Sequence, residues 1–485
     1  MLFNSYQFLL FFPVVTVLYF LLPHKFRWAL LLGASCYFYM VFKPIYILIL
    51  ALTIVVDYYA GIWIENAEGS RRKLFLSLSI IANVGVLVFF KYYNFFVGNI
   101  NEVFKLANST TSIPLLDIIL PIGLSFHTFQ AMSYTIEVYR GNQKAEKHFG
   151  IYSLYVMFYP QLVAGPIERP QNMLHQFHEK HEFNYDDVVV GLRMALWGLF
   201  KKAVIADRLA VVTDPIFNHP NQYPAISILI GVTFFMFQIF CDFSGYSNIA
   251  LGTARVMGYH LMVNFNWPYS AKSVSEFWRR WHISLSTWFN DYLFTPMSIA
   301  YRNIGIYAVV VASILTFLTS GLWHGAAWTY IVWGGLHGLA LAYEVLTKKW
   351  RKKMYKKMPD WLVSTIGISF TCSWVWLSYI FFRANTLKDA FYIVSRIPEG
   401  IKEIFMLPKT GLSAIQLPSS PSKIGLCVLS VVILQSVYLI QKKQSLSTLL
   451  DKQSRPVRWG IYYAFALLII YMGVFQNRQF IYFQF

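Results

Sequence analysis

The sequence predicts an all-α, polytopic membrane protein of roughly 11–13 transmembrane or re-entrant helices. Three observations predict it. Of 485 residues, 56% are hydrophobic and only 13% are charged, about half the roughly 25% of a soluble domain. Thirteen apolar runs follow one another along the chain, each near the ~20 residues that cross a hydrocarbon core. Finally, the basic residues gather in short segments between those runs, the pattern by which membrane proteins encode their orientation. The net charge of +18 therefore needs no nucleic acid to explain it.

In order, the runs are 7–22, 28–42, 46–64, 74–90, 115–138, 149–166, 188–205, 225–241, 304–322, 326–345, 361–382, 424–440 and 459–474. The first lacks a basic leader and is followed directly by another apolar run, so it reads as a span rather than a cleaved signal. Lys25 and Arg27, then Arg71, Arg72 and Lys73, then seven basic residues within 348–357 mark cytoplasmic segments. They place both chain termini outside. Parity then allows one net crossing between 115–138 and 225–241, where two apolar runs are present. The run 149–166 carries Pro160, Gly165 and Pro166 and is expected to be broken, which membrane depth tolerates only inside protein or beside a water-filled cavity. Among the polar stretches, 96–112 carries an Asn108-Ser-Thr sequon, 406–422 reads as an external loop and 441–458 as a cytoplasmic one. No internal repeat is visible, which counts against the repeat-built transporter folds.

Two stretches carry chemistry. In Gly321-Leu-Trp-His-Gly325-Ala-Ala-Trp328, a histidine sits between two glycines at the tip of a helical hairpin. An ionisable group at that depth is costly and marks a functional site, although a histidine beside belt tryptophans is the plainer alternative. The glycines are expected to let the backbone turn. The second stretch, 275–291, reads as one amphipathic helix. Phe277, Trp278, Trp281, Leu285, Trp288 and Phe289 share an arc; Glu276, Arg279, Arg280, Ser286, Thr287, Asn290 and Asp291 lie opposite. Ser273 with Glu276 forms a capping box at its start, and His282 falls on the border of the two faces.

Arg279 and Arg280 serve either as topology anchors or as contacts for a phosphorylated cytoplasmic ligand. Lys201, Lys202 and Lys272 would join such a patch if they converge. Asp242, read as part of an Asp-Phe-Ser-Gly turn, is the best candidate for orienting a histidine or capping a helix. His127 and His337 read as helix–helix hydrogen-bond partners. Cys36, Cys241, Cys372 and Cys427 are far apart in apolar sequence, with neither metal-ligand spacing nor a disulfide framework.

These residues resemble a known family. Pro121-Ile-Gly-Leu-Ser-Phe126, Ala164-Gly-Pro166, Phe200-Lys-Lys202, Asp242-Phe-Ser-Gly-Tyr-Ser247, Phe277-Trp-Arg-Arg-Trp-His-Ile-Ser-Leu-Ser286, Gly321-Leu-Trp-His-Gly325 and Phe480-Ile-Tyr-Phe-Gln-Phe485 are similar to blocks of the membrane-bound O-acyltransferases. They stand nearest the bacterial branch that contains the alginate O-acetylase membrane subunit. The resemblance spans residues 1–485 as a single transmembrane domain, with 115–345 as its catalytic core. It implies a ring of helices around a central tunnel in the bacterial cytoplasmic (inner) membrane. It also implies a cytosolic acyl donor, acetyl-CoA, with no bound cofactor and no metal. The acceptor would be an exported polysaccharide hydroxyl, with a periplasmic acetyltransferase partner completing transfer.

Within that implied reaction His324 is suited to general base. His282, or a tunnel-lining donor such as Ser286 or Asn290, would stabilise the oxyanion; an acyl-histidine intermediate is the alternative. Arg279, Arg280 and Lys202 would hold the donor. D-alanyl transfer to a cell-envelope polymer, a polysaccharide or lipid transporter, and a membrane scaffold are the competing readings. Loss of one imidazole separates them, because a scaffold is indifferent to it.

Overall fold

The computed structural model describes residues 1–475 together with Phe480 and Ile481, and every regular element among them is helical. Among the described residues, six helices are long and apolar enough to cross a membrane: Pro44–Asn66, Gly69–Leu106, Ala225–Val256, Ile306–His324, Asp360–Arg383 and Pro421–Gln441. Other apolar runs form shorter, interrupted or more polar helices. The chain divides into two compact units, Met1–Ala195 with Ser247–Met262, and Leu196–Tyr246 with Val263–Phe485.

The first unit contains α1 (Tyr6–Leu21), α2 (His24–Met40), α3 (Ile47–Asn66), α4 (Gly69–Leu106), α5 (Leu124–Arg140), α6 (Phe149–Met157), α7 (Pro170–His178) and most of α8 (Tyr185–Leu199). Polar groups tie its helices together. Asp57 on α3 accepts from Ser79 (2.6 Å) and Asn83 (2.8 Å) on α4. His127 on α5 bonds the Thr53 hydroxyl at 2.5 Å, the helix–helix role the sequence suggested.

Two expectations in this unit change. The run 74–90 does not end at 90: the helix Gly69–Leu106 continues into the polar stretch, 38 residues in all. Nor does the run 115–138 begin as helix, because 109–123 is irregular chain. One cause explains both. Asn94 exchanges two hydrogen bonds with the Leu116 backbone (2.8 and 3.0 Å), and Asn101 does the same with Ile113 (2.9 and 2.8 Å). The asparagines that look like loop residues are helical, and they hold the following chain in extended form.

The run 149–166 is broken. Helix α6 stops at Met157, a single turn follows at Tyr159–Leu162, and 150–168 is buried throughout. At 9 residues, α6 is about 13 Å long, under half of a roughly 30 Å hydrocarbon core. Side chains answer the backbone groups freed by the break: the Tyr159 N–H donates to the Ser35 hydroxyl at 3.0 Å. The Tyr155 carbonyl accepts from the amides of Gln130 (2.5 Å) and Gln161 (2.7 Å). Irregular backbone at depth is thus satisfied by protein, as it must be.

The second unit contains α9 (Asp207–Asn218), the first two-thirds of α10 (Ala225–Val256), α11 (Val274–Trp278), α12 (Ile283–Phe289), α13 (Ile306–His324), α14 (Trp328–Leu346), α15 (Asp360–Arg383), α16 (Leu387–Ser395), α17 (Ile397–Thr410), α18 (Pro421–Gln441) and α19 (Arg455–Met472). The stretches 406–422 and 441–458, read as loops, are partly helical: α17 runs to Thr410 and a short helix covers Leu446–Asp451.

Helices α13 and α14 pack as a close hairpin, and glycines set the distance between them. A Cβ on Gly321 would overlap the Tyr330 carbonyl, and one on Gly334 the Phe317 carbonyl. Gly321 lies inside α13, and Gly325 has an extended φ of −164°. These glycines therefore supply close approach rather than the turn geometry the sequence suggested. At Gly325 a Cβ would strike the Tyr330 ring.

Candidate active site

The stretch 275–291 is not one helix. Helix α11 ends at Trp278, α12 begins at Ile283, and His282 between them has φ +44°. A non-glycine residue in that left-handed region costs of order 1–3 kcal/mol and persists only where its surroundings impose it. The surroundings are visible. The Asn266 N–H donates to the Arg280 carbonyl, and the Ile283 N–H donates to the Asn264 carbonyl, each at 2.9 Å, so 264–266 brackets the joint. At the start of α11 the Ser273 hydroxyl accepts from the Glu276 N–H at 3.0 Å, as expected. The Glu344 carboxylate on α14 accepts from the N–H groups of Val274 (2.6 Å) and Ser275 (3.1 Å). A carboxylate at a helix N-terminus is favourable, and this one fastens α11 to the hairpin. The apolar arc is buried as read: Phe277, Trp278, Trp281, Leu285, Trp288 and Phe289 all lie inside.

His282 is fully buried and His324 is 3% exposed. The break turns the His282 imidazole inward, its ring centroid 6.2 Å from that of Trp323, which lies 4.8 Å from His324. The two sequence-predicted imidazoles thus share one indole between them. Phe243 packs edge-on against His282 at 4.6 Å; Trp333 and Phe382 pack against His324 at 4.9 and 5.3 Å. The walls are aromatic, so any charge that develops there is poorly screened.

Asn264 fixes the His282 ring, and sequence reading missed it. Its Oδ1 faces His282 Nδ1 at 3.3 Å, the Ser284 N–H at 3.2 Å and the Ser284 hydroxyl at 2.8 Å. A backbone N–H can only donate, which sets the amide with Oδ1 inward; an amide oxygen can only accept. His282 therefore carries its proton on Nδ1 and leaves Nε2 as the acceptor. His282 lies outside the six spans, and burial pushes its pKa down to about 3, which keeps the ring neutral. Nothing in the run Val263-Asn-Phe-Asn266 distinguishes Asn264 from an ordinary loop residue. The signal is its burial, at 1% exposed.

The other named residues separate. Arg279 is exposed and donates to the Ser275 hydroxyl at 3.1 Å; Arg280 pairs with Glu276 at 2.7 Å. Lys272 is exposed nearby in sequence. Lys202 is not a free cation beside them: it is 3% exposed, between Asp207 (2.8 Å) and Asp242 (2.7 Å). Lys201, also buried, donates to the Ser244 hydroxyl at 2.9 Å. Asp242 lies inside α10 rather than in a turn, and its second oxygen accepts from the Ile481 N–H at 2.8 Å. It secures the chain end, not a histidine. Of the terminal block 480–485, only Phe480 and Ile481 fall within the described residues.

The Ser286 hydroxyl donates to the Trp281 carbonyl, and the exposed Asn290 donates to Asp291. His337 takes the structural role read for it: Trp278 Nε1–H donates to its Nδ1 at 3.2 Å and the Ser378 hydroxyl lies 3.0 Å from Nε2. All four cysteines are unbridged.

The protein is a multi-pass helical membrane protein in which two buried imidazoles flank one tryptophan. The comparisons with known proteins place it. The chain belongs to the membrane-bound O-acyltransferase family, whose signature matches residues 148–382, and it is an O-acyltransferase. It is 35% identical to the peptidoglycan O-acetyltransferase of Helicobacter pylori over 399 residues, 74% of this chain and 72% of that protein. It is likewise 35% identical to the probable alginate O-acetylase AlgI of Pseudomonas aeruginosa over 447 residues, 90% of this chain and 81% of that one. Over 358 residues it is 38% identical to the probable alginate O-acetylase AlgI of Azotobacter vinelandii, covering 71% and 68%.

Proposed function

We propose that the protein transfers an acetyl group from cytosolic acetyl-CoA, across a bacterial cytoplasmic membrane, to a hydroxyl of an exported polysaccharide. One observation carries this reading: His282 and His324 approach the same tryptophan from elements anchored at opposite ends of the hairpin. Helix α11 is fastened to Glu344, beside the basic segment 348–357 that the positive-inside rule keeps in the cytoplasm. His324 ends α13 at the hairpin tip, which the same rule puts outside. Arg279 and Arg280 then face the cytosol, where guanidinium suits the phosphates of coenzyme A.

In this reading His324 takes the acceptor's hydroxyl proton as its oxygen attacks the thioester carbonyl. The tetrahedral intermediate collapses with cleavage of the C–S bond, and the departing thiolate takes up a proton. His282, with Nε2 unprotonated, accepts rather than donates, which withdraws it from the oxyanion role and makes it a proton relay. A donor suited to the oxyanion is the Trp333 indole N–H. It is buried beside His324, with no acceptor among the described residues, and such a donor gains most where charge develops. A periplasmic partner that carries the acetyl group onward is compatible with the same chemistry.

The test is His324→Ala, scored as acetylated polymer per amount of membrane-inserted protein. Loss of a general base costs about 10²–10⁴ in rate. Near-normal acetylation by stable His324→Ala protein overturns the mechanism.

A further inference from the structure

The hairpin tip borders a cavity that the transfer step does not itself use. It measures about 430 Å³, with Asp214, Asn218, Thr329, Tyr330, Arg383 and Asn385 supplying its polar lining. That volume lies within the roughly 300–1,000 Å³ of small-ligand sites. Its side chains come in preset pairs: Arg383 Nη2 donates to Asp214 Oδ1 at 3.0 Å, and Asn385 Nδ2 donates to Asn218 Oδ1 at 3.2 Å. Arg383 Nε–H is buried with no acceptor among the described residues. Asn218 and Asn385 are exposed, so the cavity is reached from solvent.

One aromatic layer separates this cavity from the candidate base. The Phe382 ring lies 5.3 Å from that of Tyr330, which lines the cavity, and 5.3 Å from that of His324. The geometry points to this cavity as the subsite for a sugar residue of the acceptor polymer, an assignment that rests on the acetyl transfer proposed above. The lining argues for that class. Each sugar hydroxyl both donates and accepts, and amides, a carboxylate and a guanidinium supply both functions. The Asp214–Arg383 pair has no net charge, so the cavity admits neutral and acidic sugars alike. An acyl chain would take water from these groups and bond none of the donors and acceptors that the pairs leave over, such as the Arg383 Nε–H, at a cost.

The experiment measures binding directly on purified full-length protein in nanodiscs, without acetyl-CoA. The probes are a tetrasaccharide of mannuronate and one of N-acetylglucosamine, read by isothermal titration. At least one is expected to bind. The double variant Asn218→Ala, Asn385→Ala should weaken it at least tenfold, as should Ala327→Phe, which narrows the cavity. Asn221→Ala, exposed outside the cavity, should change nothing. Each variant is first shown to keep the wild-type gel-filtration profile and melting point. Binding of neither probe, or binding that survives both cavity variants, overturns the assignment. Binding that responds to the variants in a protein that never transfers acetyl supports the subsite and removes the transfer reading instead.

Discussion

Asn264 offers the sharpest test of the site's geometry. Replacing it with alanine removes the carbonyl oxygen that sets the tautomer of His282 in the bracketed joint. Leaving a buried N–H without an acceptor costs about 1–3 kcal/mol. At 1.36 kcal/mol per tenfold, the rate should fall about 5- to 150-fold. Asn264→Ala also strips the Ser284 N–H of its acceptor, so a loss of activity alone would not separate positioning from folding. Asn264→Asp does separate them, because it keeps all three acceptor bonds and adds a negative charge. A carboxylate at 3.3 Å favours the charged imidazolium and raises its pKa by about 1–3 units. Starting from about 3, His282 then titrates at roughly 4–6. Once protonated, Nε2 can no longer accept, so the rate is lost as pH falls through the new value. Initial rates of acetyl transfer by nanodisc protein, from pH 5 to 8, decide it. The variant should show an acid limb that wild type lacks, with a plateau near the wild-type rate at pH 8. If the two profiles superimpose, or if Asn264→Ala runs at the wild-type rate, Asn264 does not position the ring.

Two further predictions follow from the geometry. Asp242→Asn leaves Lys202 buried with Asp207 as its remaining carboxylate, and breaking a buried pair costs about 3–5 kcal/mol. The melting point in detergent should fall sharply, and an unchanged one would refute the pairing. In intact cells an impermeant maleimide should label Asn385→Cys but not Lys353→Cys, above the background of the four native cysteines; the reverse pattern inverts the topology and both substrate sides with it.

Some of this fold was legible because it follows from the backbone's need for hydrogen bonds. The break after Met157 was readable from charge parity and from Pro160, Gly165 and Pro166, since a helix that short cannot cross. The asparagines of 94–101 misled for a related reason. In sequence they look like turn formers, but Asn94 and Asn101 spend their amides on the backbone of Leu116 and Ile113, partners that composition cannot reveal. The glycines at 321 and 325 misled differently. A turn and a close helix approach both call for glycine, and only the position of Tyr330 tells them apart.

The candidate site was legible in its imidazoles and not in what aims them. His282 and His324 stand out because ionisable groups are rare in apolar sequence, and that rarity can be counted. The 100° periodicity that put His282 on the border of one helix assumed a continuous helix. The real backbone inverts its φ at that residue, and the ring points inward only because of the inversion. Asn264, eighteen positions earlier, and Glu344, sixty-two positions later, hold the break from either side. A reading by local period cannot reach either of them. Lys202 fails in the opposite sense. Its neighbours in sequence suggest a basic patch, but Asp207 lies five residues along the same chain and Asp242 on α10, and together they neutralise it. The distinction that matters for catalysis is therefore which charges the fold has already satisfied. By that measure Arg279, exposed and bonded to a neutral hydroxyl, and Lys272, also exposed, are the cations of the expected patch for which no carboxylate partner is described.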